Sequence, residues 1–296
     1  TETWCGQVGG GNPWSENPGH GSAVKQMRKA RGGGSRRERA KRCGRNGEGH
    51  GMPDTQWTPL FSDKHFGILP LLAGTFLTSF IAIFFALPIG LTIAVYLNEY
   101  APKSFAFRIK PVLEILAAVP TVVYGYFALT VVTPFLQQFI PNLSSFNALG
   151  AGFVMGIMII PLISSMSQDA LYAVPKSIRE AAYGLGATRL QTSFNVLVPA
   201  ASSGIIVSVI LAVSRAIGET MIVAIAAGMQ PNLTLDPTVP IQTITTYIVQ
   251  ISMGDVPHGS LEYRTIFAAG ISLFILTFIL NNLSFWFKKK YQQKYD

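Results

Sequence analysis

The chain has 296 residues, a formal net charge of +8 and 49% hydrophobic residues, and its composition falls into two unequal parts. Residues 1–51 hold 10 of the 23 Lys and Arg, 4 of the 15 acidic residues and 13 of the 28 glycines. Residues 52–296 keep a near-neutral charge and almost all the hydrophobicity, which excludes a strongly basic body. Both cysteines, Cys5 and Cys43, lie in the first part without metal-ligand spacing, so they indicate neither a metal site nor a redox compartment.

Residues 1–51 have few apolar side chains and no periodicity, so we expect this basic, Gly-rich segment to be disordered. One interpretation of its run KQMRKARGGGSRRERAKR is a patch that binds nucleic acid or anionic lipid. We favour a solvated segment or one foreign to the protein. It is not a signal peptide, because no apolar region follows the charges.

Five apolar stretches in residues 52–296 are long enough to cross a hydrocarbon core of about 30 Å. Buried helices of a soluble protein explain any single stretch, but five in one chain favour a membrane protein. We therefore predict an all-α, polytopic transmembrane bundle in residues 52–296. The predicted spans are about 67–97, 112–136, 146–166, 204–228 and 266–287.

The Lys and Arg residues of the connections predict the orientation of the spans. Bases follow the first and third spans and the last one, whose tail reads KKKYQQK, so we expect these faces and the C-terminus to be cytoplasmic. The connections QQFIPNLSS and 229–264 carry few bases and are predicted to be external. The first span then starts outside the cell beside a basic segment that resists translocation. We expect either that residues 1–51 are foreign or that a span preceding Trp57 has been lost.

The connection 167–203 is predicted to form two short helices joined by a glycine bend. Pro175 suits a first helical turn, Gly186 can end the helix, and Thr188 with Gln191 makes a capping box that starts the next. A DNA-binding helix-turn-helix is the alternative. Its second helix would offer a single arginine to a phosphate backbone, and it lies between membrane spans, so we expect no nucleic-acid partner.

Five residues of this connection resemble the EAA signature of ABC importer permeases: Glu180, Ala181, Ala182, Gly186 and Pro199. Two valines stand where that family usually has Ile and Leu. The resemblance implies that the connection docks on an ATPase subunit. The small residues allow a partner surface to approach the backbone, and the glutamate offers one charge for pairing.

Three further stretches, FGILPLLAGTFLTS, AAVPTVVYGYFAL and SRAIGETM, resemble the permeases of phosphate-specific importers, the C-type subunit rather than the A-type. That resemblance implies transport of inorganic phosphate across the bacterial cytoplasmic membrane. It also implies a second homologous permease subunit, two ATP-binding subunits and an external phosphate-binding protein as partners, besides membrane lipid. Members of the family usually have six spans, and no cofactor is implied.

Arg215 and Glu219 stand out because a charge near the bilayer centre costs roughly 2.5–3.5 kcal/mol on insertion scales. Four residues apart, they are predicted to share one helix face and to neutralise each other. One interpretation is a buried pair that only locks helix packing. The resemblance implies instead the charged pair of the phosphate pathway. In that hypothesis phosphate takes Arg215 from Glu219, whose carboxylate can then accept a proton that sulfate does not carry.

No phosphate-binding GxxxxGK[ST] motif or catalytic triad is present, so we expect a transport subunit whose ATP is hydrolysed by a partner. Two alternatives stay open. One is a permease for sulfate or molybdate, and the other is an ATP-independent channel or carrier, which the EAA-like connection argues against.

The remaining marked residues receive simpler interpretations. Glu114 is predicted to be a first-turn acid that favours its helix dipole. Trp57 and Trp286 are predicted to be interfacial anchors. His65 and His258 have no partners at metal-ligand spacing. Three prolines are predicted to kink spans: Pro88, Pro120 and Pro161.

Overall fold

The structure, a computed structural model, describes residue 57, residues 67–254, residue 257 and residues 259–291. The expectations for residues 1–51, including Cys5 and Cys43, and for His65 and His258 lie outside these described residues.

The described part of the chain is α-helical, as predicted. In chain order the helices are α1 (Leu69–Glu99), α2 (Lys103–Ala118), α3 (Thr121–Gln137), α4 (Ala148–Tyr172), α5 (Lys176–Gly184), α6 (Arg189–Ala200), α7 (Ser202–Ile217), α8 (Met221–Ala226), α9 (Ile244–Met253) and α10 (Leu261–Tyr291).

Three segments of these helices are long and apolar enough to cross a membrane: α1, α4 and Tyr263–Phe287 of α10. Two bent pairs have the same character when each is taken as one span. The axes of α2 and α3 differ by 83°, and those of α6 and α7 by 71°. The described part of the chain therefore has three such spans, or up to five, and the predicted multi-pass helical bundle is confirmed.

Two predicted spans are not single helices. The stretch 112–136 is divided at Pro120, which precedes the first residue of α3, because the residue before a proline avoids helical geometry. The stretch 204–228 is divided at Gly218, between α7 and α8. The other two prolines predicted to kink spans, Pro88 and Pro161, lie inside helices that continue through them.

Two predicted connections contain more helix than expected. Helix α4 continues to Tyr172, so residues 167–172 belong to it rather than to the connection that follows. Helix α9 lies in the stretch 229–264, and Thr243 starts it with a capping box closed by Thr246.

The most extensive helix contact among the described residues is between α1 and α4, and glycines make it possible. A Cβ atom at Gly152 would lie 2.8 Å from Ile81, and one at Gly156 would lie 2.9 Å from the carbonyl oxygen of Ala82. Neither position has room for a side chain. The two helices run parallel and form the centre of the core.

Smaller apolar clusters close both ends of the bundle. At the end where α1 finishes, Val95 packs with Leu171 and Leu197. We call this the basic end, since the connection with Lys176 and Arg179 lies there.

At the opposite end Trp57 contacts Tyr247, with ring centroids 4.9 Å apart in an edge-to-face arrangement. Trp57 is 5% exposed and belongs to the core, so the prediction that it is an interfacial anchor is wrong. Trp286 is half exposed.

Candidate functional site

The stretch SRAIGETM is a helix break. Helix α7 ends at Ile217, Gly218 makes a turn, and α8 begins at Met221. Arg215 and Glu219 therefore do not share a helix face, and no ion pair within 4 Å joins them. The predicted neutralising pair is wrong, because the helix that it requires stops between the two residues.

Glu219 instead caps the helix that follows. Its Oε1 atom accepts hydrogen bonds from the amides of Met221 and Ile222, at 3.2 and 3.5 Å. Its carbonyl oxygen accepts a hydrogen bond of 2.9 Å from the Thr245 hydroxyl. The carboxylate thus satisfies amides that a helix N-terminus leaves free and lies at the positive end of its dipole. This residue fixes the shape of the break.

Arg215 is exposed on the other side of the break and lines a pocket of about 410 Å³. A water molecule occupies about 30 Å³ in the liquid, so the pocket has room for a hydrated tetrahedral anion. Residues of α2, α4 and α7 line it: Lys110, Leu113, Glu114, Ala117, Met158, Pro161, Leu162, Ser165, Gln168, Asp169 and Arg215.

Helical periodicity explains which side chains face the pocket. On α2 the lining positions are 110, 113, 114 and 117, and on α4 they include 158, 161, 162 and 165. Each set follows the i, i+3, i+4, i+7 spacing of a single helix face. The pocket is a groove between these two faces, and α7 adds Arg215 as a third wall.

Four charged side chains line the groove: Lys110, Glu114, Asp169 and Arg215. Within the described part of the chain, none of them forms an ion pair or a side-chain hydrogen bond. The first-turn interpretation of Glu114 is wrong, because α2 begins at Lys103 and places this residue in its second half. Both cations remain available to an anion.

Two of the sequence motifs meet next to the break. Gly125, in VPTVVYG, lies against α8, where an added Cβ atom would be 3.1 Å from the Met221 carbonyl oxygen and from Ile225. The neighbouring Tyr124 hydroxyl donates a hydrogen bond of 2.6 Å to the Leu116 carbonyl oxygen, across the break at Pro120. This contact holds α2 and α3 in their bent arrangement beside SRAIGETM.

The connection after α4 has the predicted form of two helices and a bend. Thr188 and Gln191 form the predicted capping box at the start of α6. Gly186 has a φ of +84°, a left-handed conformation that favours glycine, and its surroundings are open.

The EAA-like residues divide by exposure. Glu180, Ala181, Gly186 and Pro199 are exposed, whereas Ala182 is buried at 8% exposure, so its small side chain serves packing within the chain. Sequence reasoning missed Leu185, which is 90% exposed in the bend. Its position between Gly184 and Gly186 could have indicated this exposure.

A polar cluster, which we call the clasp, ties this connection to the end of α1. An Nη2 atom of Arg179 lies 2.7 Å from Oε1 of Glu99, whose side chain is 3% exposed. Asn98 donates to Oε1 at 2.8 Å, and the Tyr183 hydroxyl donates to Oε2 at 3.4 Å. Burial and the nearby Glu99 carboxylate raise the pKa of Tyr183, so the hydroxyl keeps the proton that it donates. No sequence motif indicated this cluster.

The fold is that of ABC transporter permeases. The methionine ABC transporter MetNI in an inward-facing conformation aligns with a TM-score of 0.54 and 18% identity, covering 76% of this chain and 94% of that one. A bacterial ABC transporter involved in import of the polysaccharide alginate aligns with a TM-score of 0.56 and 14% identity, covering 91% and 100%.

The family model for the inner membrane component of binding-protein-dependent transport systems matches residues 86–294, and the chain belongs to this family. It is 38% identical to a probable ABC transporter permease protein, YqgH of Bacillus subtilis, over 77% of this chain and 74% of that one. It is 34% identical to the phosphate transport system permease protein PstC of Haemophilus influenzae, over 81% of both chains. The protein is therefore a multi-pass membrane permease subunit of an ABC transporter.

Proposed function

We propose that this permease passes inorganic phosphate into the cell across the bacterial cytoplasmic membrane, driven by ATP hydrolysis on partner subunits. The observation that carries the proposal is Arg215, an exposed arginine beside a helix break, with no ion-pair partner among the described residues and in a pocket large enough for the anion. The relatives named as phosphate transport permeases support the choice of substrate.

Arginine suits this substrate because its planar guanidinium presents parallel donors to two oxygens of a phosphate and stays charged at every physiological pH. Glu219 contributes by position. As the cap of α8 it fixes the break beside Arg215 and leaves the guanidinium free for the anion.

The partners would be a second homologous permease subunit, two ATP-binding subunits and an external phosphate-binding protein. In this arrangement the basic end of the bundle and the C-terminus face the cytoplasm, because Lys and Arg concentrate there. The permease domain would be residues 52–296, and residues 1–51 would not be needed for transport.

The ATP-binding subunit would dock on the connection between α4 and α7. Glu180, Ala181, Gly186 and Pro199 offer an open surface, and Leu185 offers an apolar side chain at its tip. Ala182 is buried next to this surface and packs within the chain. The connection leads directly out of α4 and into α6 and α7, so movement of the ATPase would reach two of the helices that bound the pocket. The clasp also links the connection to the end of α1.

Uptake of labelled phosphate tests the proposal in bacteria that lack their own phosphate importer and express this chain with its partner subunits. Unlabelled phosphate should compete with the label, whereas sulfate and molybdate in excess should not. Omitting the ATP-binding subunits should stop uptake. Competition by sulfate or molybdate would show that the transporter accepts another oxyanion. Uptake without the ATP-binding subunits would show that the protein is a channel or carrier.

A further inference from the structure

We infer that Lys110 is a second phosphate-binding residue, placed between Arg215 and the cytoplasm, where it receives the anion for release. The inference rests on the proposed function and adds a site to it. It starts from the two cations of the groove, which lie on different helices and have no ionic partner among the described residues.

A hydrogen bond between α4 and α7 gives a common reference level from which the position of Arg215 along the groove follows. The hydroxyls of Ser167 on α4 and Ser208 on α7 lie 2.9 Å apart, both buried, and fix these antiparallel helices at one level. Arg215 is seven residues beyond Ser208, about 10 Å farther from the basic end at 1.5 Å per residue. The same distance along α4 leads to the neighbourhood of Pro161, which also lines the groove. Arg215 therefore belongs to the deep half of the groove.

Lys110 belongs to the shallow half. Helix α2 starts four residues after the last residue of α1, at the basic end, and Lys110 is the first of its lining residues from that end. On the opposite wall Asp169, three residues before the end of α4, is the last lining residue toward the same end. Along α4 the lining extends from Met158 to Asp169, about 16 Å of helix.

The order of the two cations along the groove makes them act in succession. Lys110 lies nearer the basic end than Arg215, so a phosphate that moves toward that end meets Arg215 first and Lys110 second.

The carboxylates make the second site a weak one. Glu114 lies one helical turn from Lys110 on the same face, and Asp169 lines the facing wall, so two negative charges oppose the anion near the exit. An ammonium group is a compact, strongly hydrated point charge and lacks the two-pronged geometry of Arg215. A site of this kind holds phosphate briefly, as release requires.

Labelled phosphate uptake by the complete transporter in proteoliposomes tests the role of Lys110. Lys110→Gln should lower the uptake rate about ten-fold, the loss expected for one charge-assisted hydrogen bond, with unchanged protein level. Lys110→Arg should keep most of the rate. Arg108→Gln is the matched control, since Arg108 is an exposed cation on the same helix that does not line the groove.

A binding measurement separates a transport defect from a folding defect. In a chain with Cys5 and Cys43 changed to serine, Ser165→Cys places a thiol in the groove. Inorganic phosphate should slow its modification by a thiol reagent. Lys110→Gln should remove part of that protection, and Arg108→Gln should leave it intact.

The possible failures are distinguishable. If the unaltered transporter takes up no phosphate, the proposed function fails and this inference fails with it. If it takes up phosphate while Lys110→Gln matches Arg108→Gln in both uptake and protection, Lys110 is a surface cation toward lipid or solvent, and only the inference is overturned.

Discussion

Helix α7 ends between Arg215 and Glu219, and α8 begins just after Glu219, at Met221. The two side chains therefore lie on opposite sides of a helix break and have different roles. The carboxylate bonds to the free amides of α8, and the guanidinium lines the groove. A charged side chain in an apolar stretch is costly, and each of these meets that cost differently. Glu219 uses backbone donors, and Arg215 uses a polar pocket.

The cap predicts a graded response at Glu219. Glu219→Ala should lower the free energy of unfolding by about 1 kcal/mol, because the α8 amides lose their acceptor. Glu219→Gln keeps an acceptor oxygen and should lower the free energy of unfolding by less. Thermal unfolding of the purified chain in detergent measures this difference. Glu180→Ala is the control, because this exposed side chain makes no hydrogen bond or ion pair with the described residues. An equal loss in the alanine and glutamine variants of Glu219 would contradict the cap.

Among the elements, α1 and α4 depend on small residues along their contact. Gly156→Val should destabilise the bundle by about 1–3 kcal/mol, since its Cβ atom would lie 2.9 Å from the Ala82 carbonyl oxygen. Gly270→Val is the matched control, because this α10 glycine has no such neighbour within 4 Å. The amount of folded protein recovered from membranes reports the effect. Equal recovery of the two variants would argue against tight packing at Gly156.

The clasp predicts coupling between α1 and the connection after α4. Arg179→Met leaves the buried Glu99 carboxylate without its cation and should destabilise the chain by roughly 2–3 kcal/mol. The double change with Glu99→Gln should recover much of that loss, as expected for a direct pair. Limited proteolysis between α5 and α6 measures how well the connection is held in place, and Lys176→Met is the control. Simple addition of the two single losses would show that the residues act separately.

Local signals in the sequence predicted local structure well. The capping box at Thr188 and the bend at Gly186 follow from a few neighbouring residues, and the structure has both. The break at Gly218 carries no comparable signal, since its φ of −81° is open to any residue and the flanking segments are equally apolar. The clasp joins Glu99 and Arg179, 80 positions apart, so only the packing of α1 on the connection brings them together.

For the whole molecule, the surface of α10 shows what must surround the bundle. Within its apolar segment only 6% of the most apolar window is buried, and large side chains are exposed at positions 267, 271, 274 and 278. These positions follow one helix face. A surface of this size is stable against lipid or against a second apolar subunit, in agreement with a permease that works as part of a membrane complex.

In the proposed function Arg215 binds the transported phosphate, and Glu219 is not its ionic partner. Labelled phosphate uptake, normalised to the amount of protein in the membrane, tests it in Arg215→Gln, in the double variant with Glu219→Gln, and in Arg264→Gln as an exposed control outside the groove. We predict a loss of about ten-fold or more in Arg215→Gln, no recovery in the double variant, and unaltered uptake in the control. Recovery of uptake in the double variant, or normal uptake in Arg215→Gln, would contradict the account.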